Sequence, residues 1–285
     1  MPQSFEYYRP KTPVEAIALL TRPDLHAAPL IINPKPIAPR EAGIDAFIDL
    51  SLLGLNNIQK AQNGSIHLGP LVSLQEMVES PILSEGTGQL IKVAATMVAG
   101  PGIRNLSSLW GAIQARGGPP EIILALLVLD AQVVLLEAGE KKRTISFQQF
   151  YETHNNPPQK GELVLDVWLL PSRAGYGWAM ERIARTPGDE AIVAAAAIVE
   201  IEKDKIIQVL LAVAGADQLP RRFTKVESLL KRKTFNVKTI QKAAQSVSLQ
   251  CHPIGDFRGS TEYRRSMAGL VARRSLEKAS AQASL

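Results

Sequence analysis

The chain has 285 residues, 46% of them apolar and 21% charged, a balance that fits an ordinary globular protein with two or three small cores and excludes a disordered or fibrous chain. Its net charge of +5 is unevenly spread: residues 221–285 hold 14 Lys or Arg against 4 Asp or Glu, a net of +10, leaving −5 for residues 1–220. A single cysteine, Cys251, excludes an internal disulfide framework and any all-cysteine zinc or iron–sulfur site.

Residues Met1–Ala16 contain no basic stretch followed by an apolar run, so a cytoplasmic protein without a signal peptide is expected. The first fifty residues read as a small α/β unit. Pro13–Leu20 has proline at a helix start, apolar residues at helical spacing and Thr12 as N-cap. Pro29–Ile32 and Ala46–Leu50 are short apolar runs that suit a buried parallel pair. From about Asn56 a second unit begins, with a strand at Ser65–Gly69, a capped helix at Ser73–Val78 and a longer helix at Gly88–Val98. Ala131–Leu136 reads as a strand, Gly139 as a turn, and Thr144–Phe147 and Leu163–Leu170 as further strands, with a loop at Asn155–Pro158.

Beyond Pro171 the character changes. Ala191–Ile201 and Ile206–Ala214 flank Lys203-Asp204-Lys205 as a β-hairpin. Helical patterns follow at Arg222–Arg232, Val237–Val247 and Ser260–Lys278, the last with Tyr263, Met267, Leu270 and Val271 as its apolar stripe. The expected domains are 1–55, 56–172 and 173–285. The apolar runs at Ile122–Leu129 and Ala191–Ile201 are too short to span a bilayer, so no membrane insertion is expected. The basic C-terminal region is first a solvated helical surface and second a face for an acidic partner. Nucleic acid is a weak third reading, because no binding motif or aromatic interleaving accompanies the charge.

Three segments carry a family likeness: FEYYRP at Phe5–Pro10, IRNLSSLWGAIQARGGPPEIILALLVLDA at Ile103–Ala131, and DFRGSTEYRRSMAGLVARRSLEKA at Asp256–Ala279. Together they resemble the FAD-binding medium subunit of molybdenum hydroxylases, the group that includes carbon monoxide and xanthine dehydrogenases. Ile103, Arg104, Asn105, Ala125, Leu126, Leu127, Leu129, Asp130 and Ala131 match that family's pattern. The resemblance covers nearly the whole chain. It implies an α+β protein with two N-terminal α/β domains of the FAD-binding PCMH type, then a C-terminal antiparallel sheet plus helices. It also implies FAD as cofactor and a heteromeric complex with molybdenum-cofactor and iron–sulfur subunits, in which electrons reach FAD from the other subunits.

The positions that match the family's FAD loops are Asn33, Lys35, Ser108, Trp110, Gly111 and Glu121. The family's first loop is glycine-rich, so that backbone amides can turn onto a diphosphate. Here Asn33–Pro39 has no glycine and three prolines, which have no N–H to donate. In the second loop Ser108 replaces a hydroxyl residue, Gly111 keeps one of two glycines, Trp110 stands at the other, and Ala112 replaces an amide. Trp110 reads first as a plug in the diphosphate space and second as a platform stacked on a ligand ring. Glu121 keeps the charge of a family Asp and reads first as a surface ion-pair partner, second as a ribose ligand. Lys35 reads first as solvated. These losses predict FAD absent or weakly bound, and a structural or assembly subunit; the alternative is an electron-transfer subunit that holds FAD with atypical loops.

Elsewhere, Glu181–Ala191 resembles a family pattern in which Arg185 and Asp189 match and Arg182 stands for Lys; an Arg185–Asp189 structural tie is expected. Arg258, Ser260, Tyr263, Arg264 and Arg274 match in the C-terminal segment and are expected to fasten it. His26, His67, His154 and His252 show no metal spacing and no acid at a fixed offset, and Cys251 is expected in a loop, so no separate catalytic or metal site is expected.

Overall fold

In a computed structural model, residues 5–30, 43–114, 119–153, 161–171 and 175–283 are described. The chain begins with β1 (Glu6–Tyr8), α1 (Pro13–Leu20), β2 (Ala27–Leu30) and β3 (Ala46–Asp49). Thr12 is extended and its side chain accepts the Glu15 amide at 3.2 Å, while the Glu15 carboxylate accepts the Lys11 amide at 2.8 Å; with Pro13 in the first turn, the helix can start only there. The sheet runs β1-β3-β2, all parallel, with β2 at an edge where Pro29 breaks no ladder. The expected parallel pair is present; Ile31 and Ile32 lie outside the described residues. Ala16, Ile17 and Leu20 of α1 pack on Ile48 and Leu50, and also on Leu136 and Leu163 from farther along the chain. This small sheet is therefore seated on the next one through its own helix.

The second sheet is formed by β4 (Ile58–Lys60), β5 (Ile66–Leu68), β6 (Gln132–Glu137), β7 (Lys142–Ser146) and β8 (Glu162–Leu169). Its order is β4-β5-β8-β6-β7, with every pair antiparallel. Six helices intervene: α2 (Leu74–Glu79), α3 (Gly88–Thr96), α4 (Pro101–Asn105), α5 (Leu109–Gln114), α6 (Pro120–Val128) and α7 (Phe147–Thr153). The expected strand at Thr144–Phe147 is β7 up to Ser146, and Phe147 instead opens α7. Ser73 and Glu76 form a reciprocal capping box at the start of α2. All nine residues of α6 are buried, which explains why its sequence has no polar face: it packs against α3, α5 and the third sheet. Arg104 is 9% exposed and donates to the carbonyls of Thr96, Val98 and Ala99 and to Gln75 Oε1. It thereby satisfies the carbonyls left open at the end of α3.

The third sheet has β9 (Tyr176–Ile183), β10 (Val193–Glu202), β11 (Lys205–Ala214) and β12 (Arg221–Arg222) in the antiparallel order β12-β11-β10-β9. The expected hairpin turns at Lys203 and Asp204, whose φ values of 49° and 64° match the twist that tight hairpins need. The alanine run of β10 divides by period two. Ala194, Ala196 and Ile198 enter the core shared with α6, whereas Val193, Ala195, Ala197 and Val199 enter a second core. That second core is closed by α8 (Thr224–Leu230), α9 (Val237–Gln250) and α10 (Thr261–Ala283).

The buried face of α10 differs from the expected stripe. Tyr263 is 39% exposed and Met267 only partly buried, whereas Arg264, Ala268, Ala272, Ser275, Leu276 and Ala279 join Val271 inside. The physical reason is close approach: a sheet surface of alanines, with Gly177 in β9, lets the helix backbone come so near that small residues must face it. A Cβ added to Gly177 would lie 1.8 Å from Ala279 O. Cys251 lies in the connection after α9, in a loop as expected, and is 1% exposed in this core. Gly177→Ala is expected to cost about 3 kcal/mol, the upper range for overpacking, because the clash is with backbone. Gly188→Ala, with nothing within 4 Å of the new atom, should leave the denaturation midpoint unchanged. Urea unfolding of the two variants checks the contrast.

Candidate functional site

The junction of the first two sheets holds a cavity of about 300 Å³. Its walls are the edge strand β2, Ile44 and Leu50, the Pro70–Leu71 turn, Trp110 of α5, and Gly161–Val164 at the start of β8. His26 stands at the same cavity; its Nδ1 is 2.6 Å from Gly43 O. A carbonyl can only accept, so Nδ1 carries a proton toward Gly43 O.

Of the positions singled out in the sequence, Trp110 lines this cavity, Ser108 and Gly111 flank Trp110, and Glu121 lies elsewhere. Asn33 and Lys35 lie outside the described residues, as does His154. Trp110 is 4% exposed and its ring packs at 5.9 Å on Phe150, so it is a wall of the cavity rather than a free platform. The segment around it is sewn to the strand-to-helix connection before α2. The Leu109 amide donates to Val72 O and the Trp110 amide to Pro70 O, both at 2.8 Å. The Gly111 amide donates to Ser108 Oγ at 3.0 Å and the Ala112 amide to Ser108 O at 2.9 Å. Every amide from 109 to 112 is thus engaged within the chain. Among the described residues that line the cavity there is no Lys or Arg; the one ionised side chain is Glu162, which is paired with Arg143.

Glu121 is not a surface ion-pair partner. It is 2% exposed on α6 and accepts from Arg182 Nη1 of β9 at 2.9 Å. Arg182 also donates to the carbonyls of Met97, Pro187 and Asp189, tying the second sheet's helices to the third sheet. Burial pushes the Glu121 carboxyl above its ordinary value, against the opposing pull of Arg182. The expected Arg185–Asp189 tie is absent among the described residues: both side chains are exposed, and Asp189 Oδ2 accepts the Thr186 amide instead. The tie was one turn of sequence away, at the Arg that replaces the family's Lys.

In the C-terminal segment Asp256 accepts from Arg264 Nη2 at 2.6 Å, from Arg258 Nε at 3.1 Å and from the Arg258 amide at 2.9 Å, and Arg264 Nη1 reaches Ile192 O at 2.6 Å. Burial works to raise the Asp256 carboxyl, but these bonds outweigh it and hold it well below the usual carboxylate range. Arg258 and Arg264 therefore fasten as expected, Ser260 accepts the Tyr263 amide at 3.2 Å, and Arg274 is exposed.

Two histidines do have acidic neighbours, which no sequence offset could reveal. His67 Nδ1 is 2.6 Å from Asp166 Oδ2, 99 positions away, and its Nε2 is 3.1 Å from Ser65 Oγ. This relay has the order of a hydrolytic triad. Ser65 is only 1% exposed and donates to Asn63 Oδ1 at 2.8 Å, so the relay is a clasp between β5 and β8 rather than an exposed nucleophile. His252 Nδ1 is 3.6 Å from Asp217. Among the described residues no group of three or more His, Cys, Asp or Glu could hold a metal, and no helix is long and apolar enough to cross a membrane.

The family described as FAD binding domain in molybdopterin dehydrogenase matches residues 3–172, and that described as CO dehydrogenase flavoprotein C-terminal domain matches residues 178–279. The chain belongs to this family. It is homologous to the FAD-binding medium subunits of molybdenum hydroxylases, and its α+β architecture is theirs. The carbon monoxide dehydrogenase medium chain of Hydrogenophaga pseudoflava is 26% identical over 284 residues, 98% of each chain. The glyceraldehyde dehydrogenase medium chain of Sulfolobus acidocaldarius is 24% identical over 280 residues, covering 95% of this chain and 96% of the relative. Among solved structures, the reconstituted CO dehydrogenase from Oligotropha carboxidovorans aligns with a TM-score of 0.87 at 26% identity over 99% of each chain.

The buried pair yields a pH test. Since the folded-state pKa of Glu121 is raised, its contribution to stability is full below the unfolded value of about 4.3 and is lost as pH rises through the folded value. The stability of the native chain relative to Glu121→Gln should therefore fall from about pH 4.3 upward. Arg182→Met strands the carboxylate and should cost about 3 kcal/mol at pH 7, and less at pH 5, where Glu121 can take a proton. Denaturant unfolding across that range reads both.

Proposed function

We propose that this medium-subunit homologue has a degenerate flavin site and serves as a structural or assembly subunit of a molybdenum hydroxylase complex. The observation that carries this reading is the full internal engagement of the amides at residues 109–112, beside a cavity whose described lining offers no cation. A diphosphate needs free N–H donors or positive charge. The amides at 109–112 and the side chains of the described lining offer it neither, and Glu162 adds a carboxylate. The prolines of Asn33–Pro39 support the same reading from the sequence. Each missing charge-assisted contact is worth about 1.5–3 kcal/mol, so two or three of them weaken binding by several orders of magnitude.

In this reading no electron-transfer step is assigned to the chain. Its role is to complete an assembly in the cytoplasm with molybdenum-cofactor and iron–sulfur subunits, using the Arg182–Glu121 tie and the C-terminal sheet to keep its shape. The three sheets support treating 1–55, 56–172 and 173–285 as its domains.

The test is direct. Protein purified natively, alone and with co-expressed partner subunits, is denatured and the supernatant examined by absorbance and fluorescence. The expected result is no flavin above trace. Stoichiometric FAD would overturn the reading and establish the alternative, a functional flavoprotein subunit with atypical loops. Trp110→Gly is expected to leave FAD binding undetectable in the same assay, because enlarging one wall restores no donor.

A further inference from the structure

We infer that the outer face of α8 and α9 docks an acidic, partly apolar segment of a partner protein. Val226, Leu230, Ile240, Ala243 and Val247 anchor both helices in the second core, on the side of the third sheet turned away from α6 and the cavity. Docking there does not depend on whether the chain binds flavin.

Charge is the first observation. Lys225, Lys231, Arg232, Lys233, Lys238 and Lys242 are all exposed. The single acid of residues 224–250, Glu227, is buried and bonded to Arg222, so the exposed side chains of that stretch sum to +6. None of the six cations forms an ion pair with a described carboxylate. The tip of the β10–β11 hairpin, which the Lys231–Phe235 backbone bonds to, adds Glu202 and Asp204 against Lys203 and Lys205, and so no net charge. Of the residues outside the described ones only Glu41 is acidic, and one carboxylate cannot neutralise six cations.

The local cost of these cations is the second. An ordinary helical surface mixes the two signs and favours acids in the first turn. Lys225 and Lys238 occupy the first turns of α8 and α9, where the helix dipole repels a cation, and Lys238 and Lys242 are like charges four residues apart. Arg232 has a φ of 64°, in the left-handed region that favours glycine, and its amide is held on Ile206 O at 2.7 Å. The fold gains nothing from these choices, whereas an acidic partner does. The same face leaves Leu229, Val237 and Leu249 between 59% and 76% exposed, which offers a partner apolar contacts as well. A lipid surface fits less well, since the exposed Gln241 and Gln245 interrupt the outward stripe of α9 between Val237 and Leu249. Nucleic acid lacks a stacking platform there, because Phe235, the one aromatic of residues 224–250, packs on the second core.

The probe is a fluorescein-labelled peptide of four Glu-Leu-Asp-Glu repeats, titrated with the full-length chain and read by fluorescence anisotropy. The expected result is saturable binding of one peptide per chain in the micromolar range, weakened about tenfold when sodium chloride is raised from about 0.1 to 0.5 M. A Glu-Ser-Asp-Glu peptide should bind about fivefold more weakly, because it loses the apolar contacts. Lys231→Glu with Lys233→Glu should weaken the first peptide about tenfold, while Lys60→Glu with Lys141→Glu, the same change of charge on the second sheet, should leave it within about twofold. Arg232→Gly should weaken binding about threefold without lowering the urea midpoint, a combination that a purely structural arginine does not produce. No saturable binding of the leucine peptide, or equal weakening by the two charge-reversed variants, would overturn the inference. So would equally tight binding of phosphatidylcholine–phosphatidylserine vesicles or of a single-stranded oligothymidine.

Discussion

Strand β10 is buried on both faces, and the rest of the molecule is arranged around that constraint. Its odd and even positions feed two separate cores, one reaching through α6 to the second sheet and one closed by α10. Large side chains on either face would push the layers apart, so the strand is built from alanine and valine. The helix above it must then present alanine and serine, and Gly177 must lack a side chain. Burial without bulk is the common rule, and dispersion at short range replaces the volume that leucines would supply elsewhere.

The same interior contains one charged crossing. Glu121 and Arg182 meet between α6 and β9, and each would be costly to leave alone at that depth. Arg182 is further held by three carbonyls, so the pair sets how the third sheet sits on the helices of the second. Asp256 does comparable work near the same end of that sheet, where Arg264 of α10 links it to the carbonyl just before β10. The family-matched charged residues therefore concentrate on holding layers in register, and the chemistry of the cavity is left to a small set of mostly apolar walls.

The α10 stripe illustrates where pattern reading stops. Tyr263, Met267, Leu270 and Val271 have helical spacing and the larger apolar side chains, yet the face chosen by the fold is the small one. Hydrophobic periodicity reports which face can be buried; the separation of the layers decides which one is. The histidines make the same point for polar groups: His67 finds Asp166 through strand pairing of β5 with β8, a neighbour no local spacing encodes. Strand β9 was also invisible beforehand, since Gly177, Glu181 and Arg182 interrupt the usual alternation for reasons that lie in α10 and α6.

What the sequence determined by itself is local or compositional. Thr12 and Ser73 start helices because their side chains reach amides three residues on; Lys203-Asp204 turns a hairpin because two apolar runs of strand length flank it; and three prolines in Asn33–Pro39 remove donors wherever that segment lies. The family likeness followed from residues of this kind together with matched motifs. Only the tertiary structure decided that Glu121 is buried, that Arg182 is its partner, that Trp110 is a wall of a cavity, and that His26 and Glu162 share it. These depend on contacts between segments far apart in the chain, and their energies arise only once water has been excluded between them.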